Sequence, residues 1–223
     1  MSSVDRARVA QAEPSAGLDL SGFPSVTASA GDALYRAQGA GYDSAEYYAS
    51  SAGRFDLESP RGTWYLARDL ESAIFEYLGL DGYAMRVVPR GTADQFEVWM
   101  FDAVEREQLA DIKHRSAASY GVTSELGVMT PYAIPRRWAD AFDAAGFDGI
   151  QYESRFTPSG VALAVFGDVG SETCPSGVRI EGYEACQSAG IAVVEIPTIG
   201  ELEVVSPPSE EGVEPAHSED ASG

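Results

Sequence analysis

Three side chains in this sequence stand where a strand or helix gives out, each with a different chemical capacity. They are Arg36 in LYRAQG (34–39), Glu76 in AIFEYLG (73–79) and Ser154 in QYESRF (151–156). A guanidinium that leaves a sheet edge before a Gly-rich turn can grip a phosphate through two parallel bonds. A carboxylate that faces away from the apolar stripe of its helix can serve as a catalytic group. A serine hydroxyl with no histidine near it in sequence is a poor nucleophile, but it can hydrogen-bond a ligand or hold another side chain. Arg54, in the turn SAGRFD, offers a second guanidinium, and Tyr65, on a short strand, offers a ring. Each residue also has an ordinary reading: a surface arginine stacked on a tyrosine, a solvent-facing glutamate, a serine capping a turn. The residues alone leave both readings open.

Histidine narrows the chemistry further, because the chain has only two, His114 in the run DIKHRS and His217 near the C-terminal end. A Ser-His-Asp or Cys-His arrangement needs a dedicated imidazole, and a catalytic zinc usually needs two or three nitrogen or sulfur ligands. No metal centre is expected. His114 reads as a solvated helix-end cation. Cys174 and Cys186 lack the paired spacing of a metal site and read as reduced thiols. There is no GxxxxGK[ST] loop, and GAGYDS (39–44) lacks the third glycine of a dinucleotide turn. The working groups left to an enzyme here are carboxylate, guanidinium, phenol and hydroxyl.

Short apolar runs bounded by turn residues must position these groups. Strands are predicted at TWYLA (63–67), YAMRVV (83–88), FEVWMF (96–101), GIQYES (149–154), VALAVF (161–166), IAVVEI (191–196) and LEVV (202–205). One helix runs from an Asp69 cap through Leu70, Ala73, Ile74, Tyr77 and Leu78 to Gly79, and Glu76 points away from that stripe. A second spans Arg136 to Ala145 between Pro135 and Gly146, and a third Tyr183 to Ala189 before Gly190. Strands and helices do not alternate as in a doubly wound sheet. The predicted class is α+β, with a mixed or antiparallel sheet core, a few short helices and a compact pair of sheets.

A chain of 223 residues, 44% hydrophobic, can bury one sizeable core. Its 35 acidic and 15 basic residues give a net charge of −20, which argues against direct nucleic-acid binding. The opening MSSVDRARVAQAEPS has no apolar signal core and no run is long enough to span a bilayer, so a cytoplasmic protein with no membrane partner is expected. Residues 1–30, rich in Ala, Ser, Gly and Pro, read as a flexible leader, 31–205 as the folded domain, and 206–223 as a disordered acidic tail. A homo-oligomer stays open.

The ordered blocks LYRA, GRF, WYLA, AIFE, GFDGIQYESR and ALAVF, over about residues 31–205, resemble the RES domain, a toxin family named for an Arg, a Glu and a Ser. The resemblance implies that Arg36, Glu76 and Ser154 are those residues, with Arg54 and Tyr65 completing the pocket. It implies an ADP-ribosyltransferase-like fold and cleavage of the nicotinamide–ribose bond of NAD, consumed as substrate with no other cofactor. Arg36 and Arg54 would clamp the pyrophosphate, Tyr65 would stack on nicotinamide or ribose, and Ser154 would supply a positioning hydrogen bond. The acceptor stays open among water, phosphate and a protein side chain, as does an inactive binding module. A helix-turn-helix antitoxin is the partner implied.

Overall fold

The computed structural model describes residues 11–42, 49–79, 86–102, 106–170 and 177–196. In chain order the strands are β1 (Ser25–Ala28), β2 (Ala33–Gly39), β3 (Arg61–Ala67), β4 (Val87–Pro89), β5 (Phe96–Asp102), β6 (Arg106–Asp111), β7 (Gly149–Glu153), β8 (Val161–Asp168), β9 (Val178–Glu181) and β10 (Ala192–Val194). The helices are α1 (Leu70–Leu78), α2 (Arg90–Ala93), α3 (Ala133–Ala144) and α4 (Gly182–Ser188). The α+β class holds. The expected pair of sheets does not: eight strands form one sheet in the order β1-β6-β7-β8-β3-β2-β5-β9, and β4 with β10 forms a short parallel pair. Every pairing in the large sheet is antiparallel except β6 with β7.

Strand parity sorts the core. On β8, Ala162, Ala164 and Phe166 join a cluster with Trp138 and Phe142 of α3, while Leu163 and Val165 point the other way and pack with Trp64 and Leu66 of β3. On β3, Tyr65 packs against the α3 cluster, and Ala67, of the same parity, joins a third cluster with Ile74 and Phe75 of α1 and Ala185 and Cys186 of α4. Helices therefore cover one face of the sheet in two groups, α3 over the β7-β8 side and α1 with α4 over the β2-β5 side. Burial pushes the Cys186 thiol up to about 11, so it stays a neutral core side chain. Cys174 lies outside the described residues.

Local signals hold where they are strongest. The Asp69 carboxylate accepts the Ser72 amide at 2.7 Å to open α1, and Gly79 closes it at φ 67°. The helix α3 opens earlier than predicted, at Ala133, with Pro135 inside its first turn, where a missing N–H costs nothing. Residues 83–85 of the YAMRVV run, the strand LEVV and the tail 206–223 lie outside the described residues. Strands β1, β2, β6 and β9 have no counterpart among the predicted strands, because four to seven mostly polar or isolated apolar residues carry no readable alternation.

The leader needs correction. Residues 11–30 are part of the fold: β1 pairs with β6, and Leu20 and Phe23 are buried in the α3 cluster. Gln11, fully buried, accepts from the Thr123 amide at 2.7 Å and donates to Gly121 O at 3.1 Å, while Trp138 Nε1 donates to Ala12 O at 2.9 Å. The segment is an irregular strap held by partners more than a hundred residues away, so its own sequence shows no period. His114 stands at the start of a helical turn rather than at a helix end: its Nδ1 accepts the Ser116 amide at 3.2 Å and caps Arg115–Tyr120. No helix among the described residues is long and apolar enough to cross a membrane.

Candidate active site

Strands β2 and β3 are neighbours in the sheet but share one ladder pair, Tyr35 with Ala67, before they diverge. The sheet splits there, and the split opens on the helix-covered face between the two helix groups. The Arg36 guanidinium crosses it, donating to the Tyr65 carbonyl at 3.3 Å, a backbone group the divergence leaves without a ladder partner. A cleft of about 460 Å³ fills the gap, lined by Arg36, Arg54, Tyr65, Glu76, Tyr132 and Tyr152 among others. The sequence-predicted residues Arg36, Arg54, Tyr65 and Glu76 thus come together around one cavity, although they arise from two strands, a loop and a helix.

Ser154 stands at the rim rather than in the cleft. It follows the end of β7, and its buried hydroxyl donates to Glu76 Oε1 at 2.7 Å. Ser154 Oγ also accepts the amides of Phe156 at 3.3 Å and Thr157 at 3.2 Å, so the hydrogen-bonding capacity of the hydroxyl is used within the protein. Of the two roles open to this serine, holding another side chain is the one the geometry displays. The Arg155 amide reaches Glu76 Oε1 at 3.1 Å. Both donors meet one oxygen, leaving Oε2 with no protein donor among the described residues. Glu76 stands three residues on from Ala73, so the two share a helix face and line the cleft together.

Arg54 is carried by a loop that is knotted from both sides. Asp56, nearly fully buried, accepts from Tyr65 Oη at 2.9 Å, the Gly53 amide at 2.9 Å and Ser50 Oγ at 2.6 Å. Tyr65 Oη in turn accepts the Phe55 amide at 2.8 Å. From outside, Arg136 of α3 donates to the carbonyls of Gly53, at 3.1 Å, and Ser51. The loop presents Arg54 with its guanidinium 5.2 Å from the Tyr132 ring centroid. Its Nε is buried without a hydrogen-bond partner, and no described carboxylate pairs with it. A cation 7% exposed, with no ion pair among the described residues, is costly to bury and suits the approach of an anion.

Burial, then the charge of Asp56, holds the Tyr65 phenol well above its ordinary range. Burial and then the Glu76 charge do the same for Tyr152, with Arg54 opposing. Both rings stay neutral donors at physiological pH. Removing the Asp56 acceptor leaves three donors, the Tyr65 phenol, the Gly53 amide and the Ser50 hydroxyl, without their partner, so Asp56→Ala is expected to lower stability by about 1–3 kcal/mol in thermal unfolding. Asp56, Tyr132, Tyr152 and Arg155 were not among the predicted site residues. Only Asp56 left a trace in sequence, a charge set between Phe55 and Leu57, both buried.

A split, mostly antiparallel sheet with helices on one face, and a cleft at the split lined by two guanidiniums, a fixed carboxylate and several tyrosines, define the α+β domain. The RES domain model matches residues 33–181, and the chain belongs to the RES domain family. The fold is similar to that in the crystal structure of the M. tuberculosis MbcT-MbcA toxin-antitoxin complex, at a TM-score of 0.51 and 13% identity, covering 70% of this chain and 87% of that one. No curated protein matches the sequence.

Proposed function

We propose that this protein cleaves the nicotinamide–ribose bond of NAD, as a glycohydrolase or phosphorylase, and acts as a toxin held by an antitoxin. The observation that supports it most directly is the Glu76 carboxylate, pinned through one oxygen by Ser154 and Arg155 and without a donor on the other among the described residues, in a cleft with Arg54, which no described carboxylate pairs. In this reading the C1′–N bond breaks with its electron pair passing to the pyridinium nitrogen, so nicotinamide leaves neutral and no strong general acid is needed. The ribosyl fragment becomes oxocarbenium-like, the kind of cation a carboxylate stabilises in glycosidases. The free oxygen of Glu76 faces that charge, Arg54 and Arg36 hold the pyrophosphate, and the phenol faces of Tyr65, Tyr132 and Tyr152 enclose the rings. Ser154 positions Glu76. The acceptor oxygen bonds C1′ and releases its proton to solvent.

Membership of the RES family and the fold shared with MbcT support the toxin reading, and a helix-turn-helix antitoxin is the proposed partner. Incubation of purified protein with NAD, with and without inorganic phosphate, is expected to release nicotinamide, followed by chromatography. Free ADP-ribose would name water as acceptor, a phosphorylated sugar would name phosphate, and label on a polypeptide would name a protein. No nicotinamide under any of these conditions would overturn the enzyme reading.

A further inference from the structure

With 35 acids for 15 bases, this chain has carboxylates enough to pair every cation. Arg61, Arg68, Arg86, Arg90 and Arg179 are so paired. Among the described cations with no ion pair, Arg54 lies on the cleft loop, Arg136 donates to that loop and Arg137 lies on α3, while Lys113, Arg115 and Arg155 border one cavity of about 760 Å³ beside the cleft. Lys113 is the only lysine in the sequence. Ser154 and Arg155, whose hydroxyl and amide hold Glu76, form the wall nearest the cleft.

The two cavities differ in lining. Tyrosine rings surround the cleft, as a heterocycle requires. The second groove has an aliphatic floor of Ile112, Val122 and Val128 and, apart from the His114 imidazole, no aromatic ring. Val128 is 43% exposed there. The Glu153 carboxylate also borders the groove, and it accepts the Ser159 amide at 3.1 Å. An aliphatic floor beneath three unpaired cations, on a molecule that is otherwise strongly negative, offers nothing for a base to stack on. It offers an apolar seat and charge partners for a peptide.

We infer that this groove binds an acidic peptide segment of a protein partner, its carboxylates on Lys113, Arg115 and Arg155 and an aliphatic side chain on Val122 and Val128. Such a contact is local: at physiological salt the net negative charge of the molecule is screened beyond about 8 Å.

Fluorescence anisotropy with a labelled short peptide alternating glutamate and leucine tests it on the full chain. Saturable binding is expected, weakening as salt rises, with no binding of the same peptide carrying lysine for glutamate. Charge reversal by Lys113→Glu with Arg115→Glu should weaken it about tenfold or more, and Val128→Ser several-fold. All three side chains are exposed, so the circular dichroism spectrum should not change. Unaltered binding by the charge-reversal variant overturns the inference. So does loss of binding in Arg54→Ala, which would seat the peptide in the cleft, or displacement by inorganic phosphate with no effect of Val128→Ser, which would mark a small-anion site. None of these readings depends on NAD turnover.

Discussion

Glu76→Gln is expected to reduce nicotinamide release by about 100-fold or more while leaving NAD affinity and the unfolding midpoint close to those of the parent. Glutamine keeps a carbonyl oxygen where Oε1 accepts from Ser154 Oγ and the Arg155 amide, so the two contacts that place the side chain survive. What is lost is the charge at the open oxygen, the part that faces the oxocarbenium-like sugar in the proposed reaction. Isothermal titration with NAD and steady-state release of nicotinamide separate the two effects. Full turnover by this variant would remove Glu76 from the chemistry. A collapse in stability would instead mean that its charge supports the neighbouring Tyr152 and Arg54.

Gly149→Ala is expected to cost about 3 kcal/mol, or about 6–12 °C in the thermal midpoint. A Cβ at this position would stand 2.4 Å from the Ala164 carbonyl oxygen, 2.9 Å from Val165 Cα and 3.1 Å from Leu109 Cδ2. Two of those atoms are backbone of β8, which pairs with β7 in the middle of the sheet, so relief requires the strands to part. Gly127→Ala is the control, because its nearest contacts lie at 3.9 to 4.0 Å and the change should fall within about 0.5 kcal/mol. Since β7 ends one residue before Ser154, partial displacement by Gly149→Ala should also loosen Glu76 and lower turnover in whatever fraction stays folded. Equal midpoints for the two alanine variants would show that the β7-β8 contact yields without cost.

Much of the scaffold was legible because its signals are local. Asp69 and Gly79 bracket α1 through bonds that span a few residues, and the aliphatic run of β8 is buried on both faces, so it reads as a strand whatever surrounds it. The strap at residues 11–30 was misread for the opposite reason. Gln11, Leu20 and Phe23 are ordered by Thr123, Gly121 and the α3 cluster, partners that no window of sequence contains. Ser154 shows the same limit at a single atom, since its hydroxyl is useful only once α1 and the end of β7 have been brought within 2.7 Å.

By itself, then, the sequence determined which chemistry was available: few histidines, a carboxylate on a capped helix, arginines at turns and tyrosines on strands, all of which follow from residue type and spacing. The tertiary structure alone decided that β2 and β3 diverge after one pair, that Arg54 is delivered by a loop tied to Asp56 and Arg136, and that Tyr132 and Tyr152 close the cleft. It also decided that Lys113, Arg115 and Arg155 meet at one groove, where among the described residues none of them forms an ion pair. The physical reason is the range of the forces involved. Caps, turns and burial patterns act over one or two helical turns, whereas a split sheet and an unpaired charge are properties of what the whole fold leaves unsatisfied.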